Sequence, residues 1–395
     1  MRTGKVAAAA AAAVCALAGV AGTVWALAAP GETMTSTGAA AAARALEASH
    51  TAVSRIAFGS CLKQDNPQPI WDAVLDAVPD LFIFLGDNVY ADTSDIDRLK
   101  DCYERLSRRE GFRRLLDACT VLATWDDHDY YKNGSAGNYR GKRESQQVFM
   151  DFWGDPADSA RRTRDGVYDA YVFGPEGRRV QVILLDARFF KDKRRGTILG
   201  DEQWAWFEEQ LKVPADVRIV ANGTQVIARD HGGEKWADIP GEIEHLIEVI
   251  GRAKADGVIL LSGDRHHAEI SRLTPSGAQR SGATPIETGT PWDPHGAPSA
   301  AATGEREPLR YPLYDVTASS LNRSKWFVME RNPSRVGRAY PGSNFGFIEI
   351  DWSQKDPVIS MQVRDVAGRV RIREDVRLSE LRGREGAEVA GASRE

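Results

Sequence analysis

Five short, largely apolar runs, spread between residues 54 and 261, end in the same way: each gives way at once to residue types that bind metals or phosphate. The first closes in Phe58-Gly59-Ser60-Cys61 and the second in Gly86-Asp87-Asn88-Val89-Tyr90. A third closes in Trp125-Asp126-Asp127-His128-Asp129, a fourth in Asn222-Gly223-Thr224-Gln225, and the last in Gly263-Asp264-Arg265-His266-His267. Runs of this kind mark strands buried on both faces of an α/β sheet. Open sheets of that class bind ligands outside the carboxyl ends of their strands. The terminal side chains are therefore expected to converge, although they lie far apart in sequence.

The intervening segments read as helices and further strands. Residues 67–78 place Ile70, Trp71, Val74, Leu75 and Val78 on one face. Helices are also expected over 95–119, over 142–153, over 201–213 with Asp201 as cap, and over 241–255. Strands are expected at 54–59, 81–85, 121–125, 217–221 and 258–261, and a hairpin over 167–174 and 179–186. More β structure follows at 314–318, 345–351 and 358–376, the last turning at Ala367-Gly368. Residues 30–50 read as a linker with a short helix outside the core, 276–308 as a long mobile loop, and 379–395 as a disordered tail. No repeat or clean boundary divides 51–378, which reads as one α/β domain.

The first residues form a targeting signal. Arg2 and Lys5 precede an apolar, small-residue run over 6–29, and Ala26-Leu27-Ala28 offers a cleavage site. Cleavage near Ala28 or Ala29 is expected; an uncleaved membrane anchor is the rival reading, and both put the folded part outside the cytoplasm. Three cysteines then remain, Cys61, Cys102 and Cys119. The latter two flank one predicted helical segment and are candidates to pair, which would leave Cys61 free. Hydrophobic residues make up 42% and charged residues 27%, a globular balance, and a net charge of −5 argues against a nucleic-acid scaffold role. No protein partner is indicated.

The clustered carboxylates point to bound cations. Asp126, Asp127 and Asp129 repel one another, and a cation relieves that repulsion. A phosphoester resists attack because its anionic oxygens repel a nucleophile; two metals neutralise that charge and hold a hydroxide at neutral pH. Such a centre needs a bridging carboxylate, and a phenolate or soft ligand where one ion is strongly Lewis acidic. Asp87 and Tyr90 offer the bridge and the phenolate from one turn. Against this, a lone cysteine is usually a buried apolar residue, and a Gly-Asp after an apolar run is often only a turn. The alternative for Arg188 is a pair with a structural carboxylate instead of phosphate, and His231, His245 and His295 are expected to have no catalytic role.

The ordered set FGSC at 58–61, GDNVYAD at 86–92, WDDHD at 125–129, LLDAR at 184–188, LGDEQWAW at 199–206, ANGTQ at 221–225 and SGDRHH at 262–267 resembles the alkaline phosphatase D (PhoD-like) family. That family lies within the calcineurin-like metallophosphatases and is related to purple acid phosphatases. The resemblance implies an α/β fold, a two-sheet metallophosphatase sandwich flanked by helices. It implies Cys61, Asp87, Tyr90 and His266 around Fe3+, with Asp87 bridging to a second metal held by Asp127, Asn222 and Asp264. That second ion would be Ca2+ or another divalent cation. It further implies that His128 protonates the leaving oxygen, that Arg188 and Arg265 contact phosphate, and that Asn133 contacts phosphate or an additional calcium. His266 and His267 are adjacent and point in different directions, so His267 is expected to contact substrate or to sit behind the ligands. Gln225 competes with Asn222 for one ligand position. Tyr131 and Lys132 depart from the family pattern and change the rim beside His128. The expected activity is exported hydrolysis of small phosphoesters. The alternatives are a phosphodiesterase specialised for phospholipid or teichoic-acid-like substrates, and an exported metal- or phosphate-binding protein without turnover.

Overall fold

Strand periodicity explains how one sheet is buried on both sides. In the strand Leu81–Leu85, Leu81, Ile83 and Leu85 join one apolar cluster, while Phe82 and Phe84 join another. Successive side chains of a strand point to opposite faces, so a continuous apolar run demands cover on both. The computed structural model, which describes residues 38–275 and 309–383, supplies that cover with a second sheet and with helices.

In chain order the elements are α1 (Ala39–Ser49), β1 (Arg55–Gly59), α2 (Ile70–Asp76), β2 (Leu81–Leu85), α3 (Ile96–Ser107), α4 (Glu110–Ala118), β3 (Thr120–Thr124) and α5 (Asp127–Tyr130). They continue with α6 (Lys142–Trp153), β4 (Asp169–Phe173), β5 (Val180–Leu184), α7 (Gly200–Leu211), β6 (Val217–Ala221), α8 (Glu242–Arg252), β7 (Val258–Ser262) and β8 (Ala268–Leu273). The remainder is β9 (Leu313–Ala318), β10 (Arg335–Tyr340), β11 (Asn344–Asp351), β12 (Val358–Asp365) and β13 (Val370–Arg377). One sheet has six strands in the order β13-β12-β11-β1-β2-β3, the other seven in the order β10-β8-β9-β7-β6-β5-β4.

The parallel strands decide where the site lies. β1, β2 and β3 run parallel in the first sheet, and β5, β6, β7 and β9 in the second. Ile56, Phe58, Ile83, Leu85 and Leu122 share a core with Val182, Leu184, Val220 and Leu260 of the other sheet. On the outer face of the first sheet, Phe82 and Phe84 pack with Trp71, Phe112 and Trp153 of α2, α4 and α6. Hydrogen bonds then stitch the two carboxyl edges together. Ser60 N donates to Ala318 O, Leu321 N donates to Ser60 O, and Thr124 Oγ1 donates to Leu185 O at 2.8 Å.

Several expectations change. The charged stretch 95–119 is two helices, because Arg109 adopts extended backbone angles between them. α7 begins at Gly200, so Asp201 is not its cap; it lies in the first turn, where a carboxylate complements the helix dipole. β8 and β10 carry no apolar signal. β8 buries Glu269 and Ser271, and β10 is a partly exposed edge strand rich in arginine. Residues 39–49 are not outside the core: Ala43 is fully buried in it, and Arg44 pairs with Asp169 and lies over the Tyr171 ring. Leu378 and Leu381 are buried in a short helical turn, so order extends past residue 379. Cys102 and Cys119 do not pair; both are free thiols, on α3 and just after α4. The targeting signal and residues 276–308 lie outside the described residues. No described helix is long and apolar enough to cross a membrane.

Candidate metal centre

Backbone strain marks the carboxyl edge. Eight described non-glycine residues have positive φ, and five of them, Cys61, Asp87, Asp92, Asp264 and His266, sit in the turns that follow the parallel strands. Left-handed backbone costs on the order of 1–3 kcal/mol per residue, and such residues cluster at functional sites. Two glycines let these turns close. Gly86 has φ +88, and a Cβ there would meet Asp126 Cβ at 2.4 Å. A Cβ on Gly223 would meet Asp126 Oδ1 at 2.4 Å.

The turns bring four donors of different chemistry into contact. Tyr90 Oη donates to Asp87 Oδ2 at 2.8 Å and stands 3.2 Å from His266 Nε2. Cys61 Sγ lies 3.4 Å from Asp87 Oδ2 and 3.2 Å from Ser319 Oγ. Ser319 Oγ also accepts from His266 N at 2.9 Å, so one hydroxyl from the end of β9 fixes two of the four. Burial pushes the Cys61 thiol up and the Tyr90 phenol well up, and beside Tyr90 the Asp87 carboxylate adds to that. Burial, assisted by Arg323, holds His266 down at about 4, so its imidazole is a neutral donor at ordinary pH.

Two further groups adjoin the first. Asp87, Asp127 and His128 bring ligand atoms within 4.8 Å of one another, as do Asp126, Asp127 and Asp264. Asp87 therefore belongs to two groups, and Asp127 links the second to the third. Burial raises Asp87 well above the usual carboxylate range, and Cys61 and Asp127 raise it further. Burial raises Asp126 to about 7 against the pull of Arg188, and it raises Asp264 as well. Burial opposes the charge on Asp127 too, but Arg188, His128 and the Gly134 N–H hold its carboxyl below the usual value. Asp126 Oδ2 and Asp127 Oδ1 are buried without a hydrogen-bond partner. Orphaned buried carboxylate oxygens are costly unless a cation takes them, so this donor set fits the metals that the resemblance implies.

His128 stands at the side of this cluster, with its side chain 13% exposed. Its Nδ1 lies 2.5 Å from Asp92 Oδ1, and its ring packs 4.2 Å from the Tyr90 ring. The carboxylate fixes the ring, and Nε2 makes no hydrogen bond among the described residues. Asp92 was legible only as one more acid in the GDNVYAD motif; its pairing with His128 was not. Asp129 was also unassigned. It ties the turns together by accepting from Asp126 N at 2.7 Å and from Asn88 Nδ2 at 2.6 Å.

Other expected residues are committed elsewhere. Arg188 is wholly buried: Nε donates to Asp126 Oδ1 at 2.5 Å, Nη1 to Glu234 Oε2 at 2.9 Å, and Nη2 reaches Thr224 Oγ1 at 3.5 Å. It braces the carboxylates from behind and is not open to phosphate, which corrects that assignment. Arg265 pairs with Asp264 at 3.3 Å and with Glu330 at 2.7 Å. His267 is also wholly buried, with Nδ1 against Arg265 O at 3.0 Å and Nε2 facing Glu269 and Glu330. Of its two expected places, behind the ligands or against substrate, the burial matches the first. Asn222 Oδ1 already accepts from Thr224 N at 3.0 Å and Trp236 Nε1 at 3.1 Å, while its amide donates to Leu261 O. That uses both lone pairs of its carbonyl oxygen, so Asn222 is not a free ligand in this arrangement. Gln225 donates to Glu269 and Thr317, each at 2.8 Å. Asn133 is exposed; the next residue, Gly134, donates its N–H to Asp127 Oδ2 at 2.6 Å.

Arg188 carries the first stability prediction. Its removal leaves Asp126 without its buried counter-charge and Glu234 with Lys191 alone. Arg188→Met is expected to lower the stability of the metal-free protein by about 3–5 kcal/mol, read from chemical denaturation. A loss below about 1 kcal/mol, the size of an ordinary surface change, would contradict the bracing role.

A family profile for PhoD-like phosphatases matches residues 56–291. Among solved structures, one described as the structure of PhoD aligns with a TM-score of 0.57 and 15% identity, covering 82% of this chain and 72% of that one. The purple acid phosphatase PPD1 from yellow lupin (Lupinus luteus) seeds aligns with a TM-score of 0.55 and 13% identity, covering 86% of this chain and 58% of that one. At such identities the likeness is one of fold. No curated protein shows a match to the chain. The profile covers more than half of the sequence, the fold agrees, and the strand ends assemble ligands for metal: the chain belongs to the PhoD-like phosphatase family of metal-dependent phosphoester hydrolases.

Proposed function

We propose that the protein is an exported phosphatase that hydrolyses small phosphomonoesters and diesters at a dinuclear Fe3+/Ca2+ centre. One observation carries the reading: three ligand groups are joined in a row through Asp87 and Asp127. The first group joins a thiol, a phenol, an imidazole and a carboxylate, a set suited to a strongly Lewis-acidic ion such as ferric iron. The third is all carboxylate, which suits a hard divalent cation such as calcium. When bound, the metals supply positive charge against the phosphate and make an attacking water more acidic.

The chain's own residues do the rest. Asp87 holds both halves of the centre in one frame. Asp92 aims the His128 ring, so that Nε2 carries a proton to the departing alcohol oxygen. Arg188 favours the charged forms of Asp126 and Asp127 and holds both in place. Export rests on the apolar, small-residue run after Lys5. The test is phosphate release from a substrate panel, including p-nitrophenyl phosphate and its bis ester, by secreted protein. Turnover of both supports a broad phosphatase; strong preference for the bis ester supports the specialised phosphodiesterase. No release by fully metallated protein overturns the proposal.

Tyr90 tests the identity of the first ion. A phenolate bound to ferric iron gives a visible charge-transfer band. Tyr90→Phe is expected to abolish that band. A colourless, iron-free, fully active parent protein would contradict the assignment.

A further inference from the structure

Several cations stand beside the centre, and nearly all are already neutralised. Arg188 is paired with Asp126 and Glu234, Arg265 with Asp264 and Glu330, and Lys325 with Glu330 at 2.9 Å. Arg323 differs. Its guanidinium carbon lies 4.3 Å from the centroid of the Tyr90 ring, and it makes no ion pair or hydrogen bond among the described residues. A half-buried guanidinium with five N–H donors and no protein acceptor is a group held ready for an external anion.

Its position is built, not incidental. The preceding residue, Asn322, clamps the segment to the loop that carries Cys61. Asn322 Oδ1 accepts from Lys63 N at 2.7 Å, and Asn322 Nδ2 donates to Lys63 O at 2.8 Å. Leu321 is fully buried, and a Cβ on Gly59 would meet its Cδ2 at 2.7 Å. The clamp thus places Arg323 over the same tyrosine ring that His128 packs against and whose hydroxyl touches Asp87 and His266.

We infer that Arg323 is the residue that receives the phosphoryl oxygens of the substrate, the role that Arg188 and Arg265 cannot fill because carboxylates occupy them. This rests on the proposed phosphoester hydrolysis at the same centre. The guanidinium fork binds two oxygens of a phosphate at once, whereas a lysine ammonium offers only a point charge.

The test measures binding of inorganic phosphate to metal-loaded protein by calorimetry, alongside metal content and kinetics. Hydrolysis by the unmodified protein is scored first; its absence would overturn the parent reading independently of Arg323. Arg323→Gln is expected to weaken phosphate binding about ten- to a hundredfold, the size of one charge-assisted contact. It should raise KM with metal content unchanged, and Arg323→Lys should restore part of the loss. If Arg323 only packs on Tyr90, the glutamine variant shifts the visible band and leaves phosphate affinity unaltered. That result would overturn the inference.

Discussion

Asp87→Ala is expected to lower kcat by at least about 10³, more than the loss of a single electrostatic contact, and to remove metal from both halves of the centre at once. The reason is geometric. One Asp87 carboxylate oxygen touches Tyr90 Oη at 2.8 Å and Cys61 Sγ at 3.4 Å, while the other faces His128 N at 3.4 Å. The effect should not come from unfolding. Burial and the neighbouring Cys61 and Asp127 raise the Asp87 carboxyl well above its usual range. A carboxyl with a raised folded-state pKa destabilises the metal-free fold above its unfolded pKa. Its removal should therefore leave metal-free protein at neutral pH no less stable, apart from the strain of a left-handed position at φ 51. Asp87→Asn, which tolerates that backbone, controls for the strain. Elemental analysis and denaturation together decide the matter: intact metal content in the alanine variant would show that Asp87 joins nothing.

The second large effect concerns His128. His128→Gln is expected to lower kcat by about 10²–10⁴ while metal content stays intact, as for loss of a positioned proton donor. Alkyl phosphates should suffer more than p-nitrophenyl phosphate, whose acidic leaving group needs less protonation. Asp92→Asn should produce a smaller loss in the same direction, because Asp92 acts only by holding Nδ1 at 2.5 Å. His128 also lies within ligand reach of Asp87 and Asp127. Loss of metal from His128→Gln would assign it as a ligand and remove it as the proton donor.

Some of this is legible in the amino-acid sequence itself. The bounds of β2, α6 and β6 coincide with the expected ones, because an unbroken apolar run in β2, a largely apolar one in β6 and a clean helical face in α6 leave little choice. The convergence of Cys61, Asp87, Tyr90, Asp127, Asp264 and His266 followed from strand ends alone, since parallel strands present their carboxyl ends on one edge. The side-chain directions at those ends did not. Whether Arg188 faces substrate or a carboxylate depends on Asp126 and Glu234, far away in sequence. His267 turns inward because Glu269 and Glu330 flank its ring. Ser319, Asn322 and Arg323 belong to an irregular segment with no periodicity to expose them, and β8 and β10 hide behind buried polar and exposed charged residues. Local pattern fixes elements; the pairing of polar side chains across the edge is settled only in three dimensions.

The central claim is that one edge of this sandwich grips a pair of cations and uses them on phosphoesters. Metal analysis of the purified, active protein tests it most directly. About two equivalents per chain are expected, one of them iron, with activity that falls as either is removed and returns on re-addition. Full phosphoester hydrolysis by protein that holds no metal, or a single equivalent, would contradict it.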